Sequence, residues 1–267
     1  MQTVILCGGR GTRIRDVSED LPKPMIPVGG RPILWHIMKT YAHHGHRDFV
    51  LCLGYKGWEI KRYFFEYFLA NSDVTVDLSG PGKYTVHNSD DVEDWRVTLV
   101  DTGLDTMTGG RVKRIESYIT DDEFLLTYGD GVADVNLPKL IEFHRSHGQL
   151  ATVTAVKPPS RFGELDLQGD RIVSFMEKPA TVSSFINGGF FVLNRGVFAQ
   201  MSRDPELVFE LGVLPSLAQQ GQLMAYQHDG FWHAMDSSRD HQVLNELWNA
   251  GNSPWAVWSP RRLRLAA

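Results

Sequence analysis

The chain has 267 residues, 42% of them hydrophobic, and a formal net charge of −5 from 27 basic and 32 acidic residues. This length and apolar content suit one large α/β domain with a full core. The negative net charge argues against general nucleic-acid binding, which needs a basic surface, but it is compatible with a small basic pocket for an anionic ligand.

Cysteine usage and the distribution of apolar runs indicate the compartment. The two cysteines, Cys7 and Cys52, lie in apolar runs that are typical of strands. A disulfide framework is therefore not expected, and the predicted location is the reducing cytoplasm. The first apolar run is too short for a signal peptide, and no stretch approaches the roughly 20 apolar residues of a membrane span. No contact with a membrane is expected.

Strand and helix signals alternate through the first 150 residues. Strands are predicted at residues 3–7, "DFVLCLG", "RVTLVDTG" and "EFLLTYGDG". Helices are predicted at "GGRPILWHIMKTYAHHG", "WEIKRYFFEYFLA", "GGRVKRIESYI" and "NLPKLIEFHRSHG", with Pro32 in the first turn of the first helix and Gly45 at its end. The segment "SGPGKYTVHNSDD" reads as an inserted loop or hairpin. This alternation favours an α/β fold, with a mostly parallel sheet and helices on both faces.

After residue 150 the pattern changes. Short strand-like runs separated by turns appear in "ATVTAVKP", "FGELDLQG", "RIVSFMEKP" and "INGGFFVLN", and helices are predicted at "LPSLAQQG" and "RDHQVLNELWNAG". A mixed or antiparallel part of the sheet is expected here. With no internal repeat and no linker, residues 1–258 are predicted to form one domain, followed by a tail at residues 259–267.

The first strand ends in a glycine-rich turn, "VILCGGRGTR". Ligands of open α/β sheets bind beyond the carboxyl ends of the strands, where this turn lies. Gly8, Gly9 and Gly11 allow close approach of the backbone, whose N–H groups attract anions. Thr12 adds a hydroxyl and Arg13 a permanent charge. The spacing fits neither the dinucleotide fingerprint nor the P-loop. It predicts phosphate binding, with a purely structural βα turn as the alternative.

A second basic residue follows in "LPKPM", where Lys23 lies between Pro22 and Pro24. The prolines favour extended backbone and restrict the loop. A lysine held in this way can neutralise a second phosphate, and the alternative is a solvated loop lysine.

These motifs resemble those of the sugar-1-phosphate nucleotidyltransferases. The likeness continues, in the family's order, through "GGRPILWHIMKTY", "GYKGWEIKRYF", "VDTG", "MTGGRVKRI", "TYGDGVAD", "FGELD", "EKP", "INGGFFVLN" and "FWHAMDSSRD". Three of the segments, "DTMTGGR", "TYGDGVAD" and "INGGFFVLN", are more similar to the cytidylyltransferase branch than to the thymidylyl- or uridylyltransferase branches. The resemblance implies a Rossmann-like mixed, mostly parallel sheet of the nucleotide-diphospho-sugar transferase type.

The activity implied is transfer of a nucleotidyl group from CTP to α-D-glucose 1-phosphate, giving CDP-glucose and pyrophosphate with Mg²⁺ as cofactor. A homo-oligomer is also implied, and the aromatic helix at residues 58–70 suits a subunit contact. The alternatives are the same chemistry with UTP, dTTP or another sugar 1-phosphate, and a non-catalytic sensor of nucleotide or sugar phosphate. An oxidoreductase is disfavoured by the glycine spacing.

By resemblance, the functional residues fall into three groups. The expected catalytic residues are Arg13, Lys23, Asp130 and Asp236, of which the two aspartates would bind Mg²⁺. The expected nucleotide-binding residues are Leu6, Cys7, Gly8, Gly9, Arg10, Gly11, Thr12, Arg13, Lys23, Thr106, Arg111 and Gly129. The expected sugar-phosphate-binding residues are Tyr128, Gly163, Glu177, Lys178, Asn187 and Gly188. Residues 1–135 would thus mainly bind the nucleotide, and residues 136–258 the sugar phosphate.

Simpler interpretations exist for some of these residues. Asp130 precedes Gly131 and could be a turn aspartate, and Thr108 could cap a helix. Arg10 stands where an aliphatic residue is common in the subfamily, and its side chain is either solvated or adjusts triphosphate binding. The histidines His36, His43, His44 and His46 are predicted to be structural or on the surface, not a metal cluster.

Overall fold

A computed structural model describes residues 1–14, 16–87, 92–158, 164–168, 171–176 and 184–259. Within these ranges the strands are β1 (Thr3–Leu6), β2 (Pro27–Val28), β3 (Arg31–Pro32), β4 (Asp48–Leu53), β5 (Asp73–Val76), β6 (Tyr84–His87), β7 (Arg96–Asp101), β8 (Glu123–Tyr128), β9 (Gly131–Ala133), β10 (Ala151–Val156), β11 (Glu164–Gln168), β12 (Arg171–Met176), β13 (Ile186–Asn194), β14 (Leu223–His228) and β15 (Trp232–Ala234). The α-helices are α1 (Ile33–His43), α2 (Gly57–Phe65), α3 (Tyr67–Asn71), α4 (Thr108–Arg114), α5 (Leu137–His147), α6 (Leu214–Gln219) and α7 (Ser238–Asn249).

The central sheet has seven strands in the order β14-β10-β13-β8-β1-β4-β7. β1 pairs in parallel with β4 and β8, β4 with β7, and β10 with β14. β13 runs antiparallel to both of its neighbours, β10 and β8. The predicted α/β class with a mixed, mostly parallel sheet is therefore confirmed, and the antiparallel strand lies in the second half of the chain, where it was expected.

Both faces of the sheet are buried. Ile5 of β1 and Cys7, which directly follows β1, face a core that includes side chains of α1, α5 and α7. Val4 and Leu6 face a second core that includes side chains of α4 and α6. Successive strand residues point to opposite faces, so a strand covered on both sides is apolar throughout. Cys7 and Cys52 are buried free thiols, as expected.

The aromatic helix predicted at residues 58–70 is interrupted. At Glu66 the backbone takes φ −92° and ψ 2°, and this residue separates α2 from α3. Tyr67, the first residue of α3, is buried, and its ring lies 6.4 Å from that of Trp95. Neither glycine nor proline marks the interruption, so no local pattern predicts it.

The helix predicted from Gly29 begins later, at Ile33. Gly29 and Gly30 have φ of +58° and +82° and form the turn between β2 and β3. Pro32 is thus the residue before the helix rather than part of its first turn. Gly45 fulfils its predicted role, with φ of +87° just after the helix end.

The chain path opens a crevice at the carboxyl edge of the sheet. From β1 the chain continues to β4 and β7 on one side, whereas β8 pairs on the other side of β1. Loops that leave β1 and β8 therefore diverge, which is the place where open α/β sheets bind ligands. Among the described residues, no helix has the length and apolar character needed to cross a membrane.

His36 lies on the buried face of α1 and is fully buried, which agrees with a structural role. Its Nε2 lies 2.8 Å from the carbonyl oxygen of Val28, and the indole N–H of Trp255 donates to Nδ1 at 3.3 Å. Nδ1 must therefore be unprotonated, so Nε2 carries the hydrogen. Burial lowers the pKa of His36 to about 4. A second proton on the ring would place a hydrogen on Nδ1, directly opposite the indole N–H of Trp255, and the two donors would repel each other.

His36 should make the folded state sensitive to acid. Between pH 6.5 and 4 the unfolded chain binds a proton at this histidine and the folded chain does not, so stability falls as the pH falls. The full effect is about 3 kcal/mol. Urea unfolding at several pH values should show that the free energy of unfolding falls less steeply with falling pH in His36→Gln than in the wild-type chain. The other histidines are common to both chains and do not contribute to this difference. Equal slopes would contradict this prediction.

Candidate active site

Two clefts open at the carboxyl edge of the sheet. The first has a volume of about 360 Å³ and lies beyond the ends of β1 and β8. Its lining residues are Leu6, Cys7, Gly8, Gly9, Gly11, Thr12, Ile14, Lys23, Pro24, Thr106, Met107, Thr108, Arg111, Tyr128, Gly129, Asp130 and Asp236. Ten of the expected nucleotide-binding residues thus come together around one cavity.

The second cleft has a volume of about 290 Å³ and lies beside the start of β13. It is lined by Thr127, Tyr128, Asp130, Gly131, Ile186, Asn187, Gly188, Gly189, Phe190, Trp232, Ala234 and Asp236. Tyr128, Asp130 and Asp236 line both clefts, so the two cavities meet at these side chains. The expected sugar-phosphate residues Gly163, Glu177 and Lys178 lie outside the described residues.

The meeting point of the clefts carries a lysine between two carboxylates. Nζ of Lys23 donates to Oδ2 of Asp130 and to Oδ1 of Asp236, at 2.6 Å each. Only 14% of the lysine side chain is exposed, against 28% and 34% for the two aspartates. The arrangement places three of the four expected catalytic residues in direct contact.

Short strands bring the two carboxylates together. Asp130 ends the turn between β8 and β9, and Asp236 follows β15, which pairs antiparallel with β9. The backbone N–H of Met235 donates to the carbonyl oxygen of Asp130 at 2.9 Å. Lys23 starts a 3₁₀ turn after Pro22, whose ψ of 149° is extended. The proline restriction read from "LPKPM" thus fixes where the lysine leaves its loop.

The charge of Lys23 is stabilised by its neighbours. Burial by itself would lower the pKa of the ammonium, but the Asp130 and Asp236 carboxylates outweigh burial, and the pKa is raised. Lys23 is therefore cationic at neutral pH and can neutralise a phosphate in the first cleft, which it lines.

The loop that carries Asp236 is held by the start of α7. Ser237 and Asp240 form a capping box. Oδ2 of Asp240 accepts from the backbone N–H of Asp236 at 3.1 Å and of Ser237 at 2.9 Å. Its Oδ1 lies 3.2 Å from Nε2 of His233, on β15. These contacts fix the backbone that presents the carboxylate of Asp236.

The three glycines of the first loop are suited to their positions for different physical reasons. A Cβ at Gly8 would lie 2.2 Å from Nη1 of Arg111, so glycine is needed there for packing against protein. Gly11 has φ of +56°, a conformation that side chains disfavour. A Cβ at Gly9 would meet nothing within 4 Å. Among these three glycines, only Gly9 has open space beside it. The prediction that a ligand approaches the backbone closely therefore applies to Gly9.

Arg111 is engaged by the protein itself. Nη1 donates to the oxygens of Leu53, Thr102 and Gly103, and Nη2 to those of Gly8 and Leu104, at 2.7–3.2 Å. The guanidinium joins the loops that follow β1, β4 and β7 beneath the first cleft. Its visible role is to shape that cleft.

The two other arginines of the glycine loop differ. The guanidinium of Arg10 lies outside the lining of the first cleft, and its Nη2 donates to Oδ1 of Asp105 at 2.6 Å. Arg10 therefore bridges two loops at the rim of the cleft rather than being simply solvated. The backbone of Arg13 lies in the 3₁₀ turn Thr12–Ile14, and its side chain lies outside the described part of the chain.

A carboxylate that sequence analysis missed lies beside both clefts. Glu210 accepts from the hydroxyl of Tyr128 at 2.5 Å and from that of Thr108 at 2.6 Å. Thr108 does not cap α4, because Met107 is the residue before the helix and no side chain caps it. Burial, and then the charge of Glu210, raise the pKa of Tyr128, which keeps its proton. No motif surrounds Glu210, which follows Tyr128 by 82 positions.

The site fits one hard divalent cation. Asp130 and Asp236 converge on a single point, since both bind the same ammonium, which stands in for a cation between them. Mg²⁺ is commonly held by one or two carboxylates together with substrate phosphates. Within the described ranges, no group of three or more histidine, cysteine or acidic residues could hold a metal, so substrate oxygens would complete the coordination.

The fold and the site are those of a nucleotidyl-transferring enzyme. The family model described as "Nucleotidyl transferase" matches residues 2–237. The chain belongs to this family.

Individual relatives agree with that assignment. The chain is 52% identical over 259 residues to the glucose-1-phosphate cytidylyltransferase of Salmonella typhi, covering 97% of this chain and 100% of the relative. It is 45% identical over 258 residues, again 97% and 100% of the two chains, to a probable glucose-1-phosphate cytidylyltransferase of Bacillus subtilis. The crystal structure of HddC from Yersinia pseudotuberculosis has the same fold, with a TM-score of 0.67 and 24% identity over 92% of this chain and 99% of that one.

Proposed function

We propose that the protein transfers the cytidylyl group of CTP to α-D-glucose 1-phosphate, giving CDP-glucose and pyrophosphate. The similarity to the Salmonella enzyme, which spans that enzyme's whole length, supports this proposal. The observation that carries the proposal is the position of Lys23, which lies between two carboxylates where the two clefts meet. A reaction that joins two phosphorylated substrates needs a cation at such a junction.

The clefts divide the substrates between them. CTP would occupy the first cleft, with its triphosphate against the glycine loop and Lys23. Glucose 1-phosphate would occupy the second cleft, beside Tyr128, Asn187 and Gly188. The second cleft, with a volume of about 290 Å³, has room for a single hexose phosphate. Glu177 and Lys178, proposed from the resemblance, would complete this second site.

The chemistry is an in-line displacement at phosphorus. A phosphate oxygen of glucose 1-phosphate bonds to the α-phosphorus of CTP, and the bond from that phosphorus to the oxygen bridging to the β-phosphorus breaks. The bonding electrons leave with pyrophosphate. Because the nucleophile is already an anion, no base has to remove a proton. Lys23 lowers the repulsion between the two anions, and Arg13 is proposed to bind the leaving phosphates.

We propose Mg²⁺ as the cofactor, with Asp130 and Asp236 as its protein ligands. When bound, the ion neutralises phosphate charge and fixes the orientation of the phosphate oxygens. Asp130 and Asp236 would hold the ion, and the ammonium of Lys23, which now pairs with them, would remain as a further positive charge for phosphate.

The proposal is tested by pairing CTP, UTP, dTTP, ATP and GTP with the 1-phosphates of glucose, galactose and mannose, and following pyrophosphate release. CTP with glucose 1-phosphate should give the highest kcat/KM. A higher value with UTP or dTTP would assign a different base to the same chemistry. No turnover with any pair would favour a sensor of nucleotide or sugar phosphate.

The protein is further proposed to be a cytoplasmic homo-oligomer. Its buried free thiols suit a reducing compartment. The surface formed by α2, α3 and the β5–β6 hairpin exposes several large apolar side chains, namely Trp58, Phe65, Phe68, Val76, Leu78 and Tyr84. Apolar surface of this kind is usually covered by a partner.

A second copy of the chain is the proposed partner of this surface. Phe68→Glu together with Leu78→Glu should therefore lower the particle mass measured by light scattering, because charge would be buried at the contact. A wild-type mass of 30.2 kDa, that of one chain, would contradict the proposal.

A further inference from the structure

Glu210 does not line either cleft, but its carboxylate contacts side chains that line both. It lies in a single π-helical turn, Phe209–Val213, which leads into α6. Oε1 accepts from the hydroxyl of Tyr128 and Oε2 from that of Thr108. Thr108 lines the first cleft, and Tyr128 lines both. One carboxylate thus contacts residues of both cavities.

A carboxylate determines which way these hydroxyl protons point. An ionised carboxylate accepts hydrogen bonds and donates none. Both hydroxyl protons are therefore directed at Glu210 and away from the clefts. Thr108 also accepts from the backbone N–H of Phe209 at 2.9 Å. Tyr128 accepts from Nδ2 of Asn187 at 3.1 Å.

The chain of hydrogen bonds continues into the second cleft. Oδ1 of Asn187 accepts from the backbone N–H of Gly189 at 2.8 Å, which fixes the side-chain amide. Nδ2 donates one of its two hydrogens to Tyr128, and the amide lines the second cleft. The second cleft therefore presents a donor from Asn187 and a lone pair from Tyr128, in a fixed arrangement.

We propose that Glu210 is a positioning residue shared by the two substrate sites, making Thr108 and Tyr128 hydrogen-bond acceptors toward the nucleotide and the sugar phosphate. Both substrates carry hydroxyl groups that can donate to such acceptors. This inference rests on the proposed function, because it takes the two clefts to hold the two substrates.

The test compares KM values among variants of Glu210. Glu210→Ala removes both acceptors and should raise KM for CTP and KM for glucose 1-phosphate about tenfold each, with a smaller change in kcat. Glu210→Gln keeps the shape but has one acceptor oxygen, so it should restore at most one of the two KM values. Recovery of both by glutamine would mean that Glu210 only fills space, and would overturn the inference.

Double-mutant cycles identify the side chains through which Glu210 acts. In a Tyr128→Phe background, Glu210→Ala should no longer change KM for the sugar phosphate. In a Thr108→Val background, it should no longer change KM for CTP. Additive effects in both cycles would contradict the inference. Glu206→Gln is the matched control, since Glu206 is an exposed glutamate of the same connection.

Binding of CTP and of glucose 1-phosphate, each measured by calorimetry, separates this inference from the proposed function. Suppose that the wild-type chain turns over and binds both ligands tightly, and that Glu210→Ala changes the binding of neither ligand. This result would overturn the inference alone. A wild-type chain that binds neither ligand would overturn both proposals.

Discussion

Replacing Lys23 by methionine is expected to lower kcat by about 10³-fold. Methionine keeps the length of the side chain but removes the ammonium that lies 2.6 Å from both Asp130 and Asp236. The triphosphate and the sugar phosphate would then approach each other with less neutralisation, while the two carboxylates would add to the negative charge. Pyrophosphate release under saturating substrates measures the effect.

The fold should survive this change. Lys23 is held at the edge of the sheet, and its replacement leaves both apolar cores intact. Thermal unfolding and circular dichroism check this point. Lys39→Met is the matched control, because Lys39 forms a 2.6 Å ion pair with Glu93 outside the two clefts and should keep activity within about threefold. Near-normal kcat in Lys23→Met would exclude the proposed role of the lysine.

Replacing Asp130 by asparagine is expected to have the second large effect. Asparagine keeps the shape but removes half of the carboxylate charge at the proposed cation site, so kcat should fall by about 10³-fold. Asp236→Asn should have a similar effect, and the two changes together should cost little more than either alone, because both carboxylates serve one ion. The measurement is activity against Mg²⁺ concentration, supported by direct Mn²⁺ binding.

Asp48→Asn is the control for both aspartates. Asp48 starts β4, at the sheet edge opposite to the clefts, and its Oδ2 lies 3.6 Å from Nη1 of Arg96. Its replacement should leave the Mg²⁺ dependence unchanged. If Asp130→Asn kept full activity at the wild-type Mg²⁺ concentration, Asp130 would not be a ligand of the ion.

Local patterns were sufficient to predict most of the fold. Parallel strands buried on both faces are mostly apolar, as β1, β4 and β8 are, and the turns that follow them are rich in glycine. The alternation of strands and helices then determined the class. The interruption at Glu66 could not be predicted, because no glycine or proline marks it, and the residue that follows it, Tyr67, contacts Trp95 from a different part of the sequence.

The site was predictable where a motif marks it. Lys23, Asp130 and Asp236 were expected together and are in contact. Glu210 was not expected, since its two hydroxyl partners precede it by 102 and 82 positions and the turn it occupies has no signature. Gly8 shows a different limit, because its need for glycine comes from a distant arginine, Arg111, and not from a ligand.

We propose that one active site extends across both clefts, with Lys23 at their junction. The most direct measurement is a crystal structure of the protein with CDP-glucose. Cytidine should lie in the first cleft, glucose in the second beside Asn187, and the diphosphate within hydrogen-bond distance of Nζ of Lys23. A product molecule bound elsewhere, or with its diphosphate away from Lys23, would contradict the account.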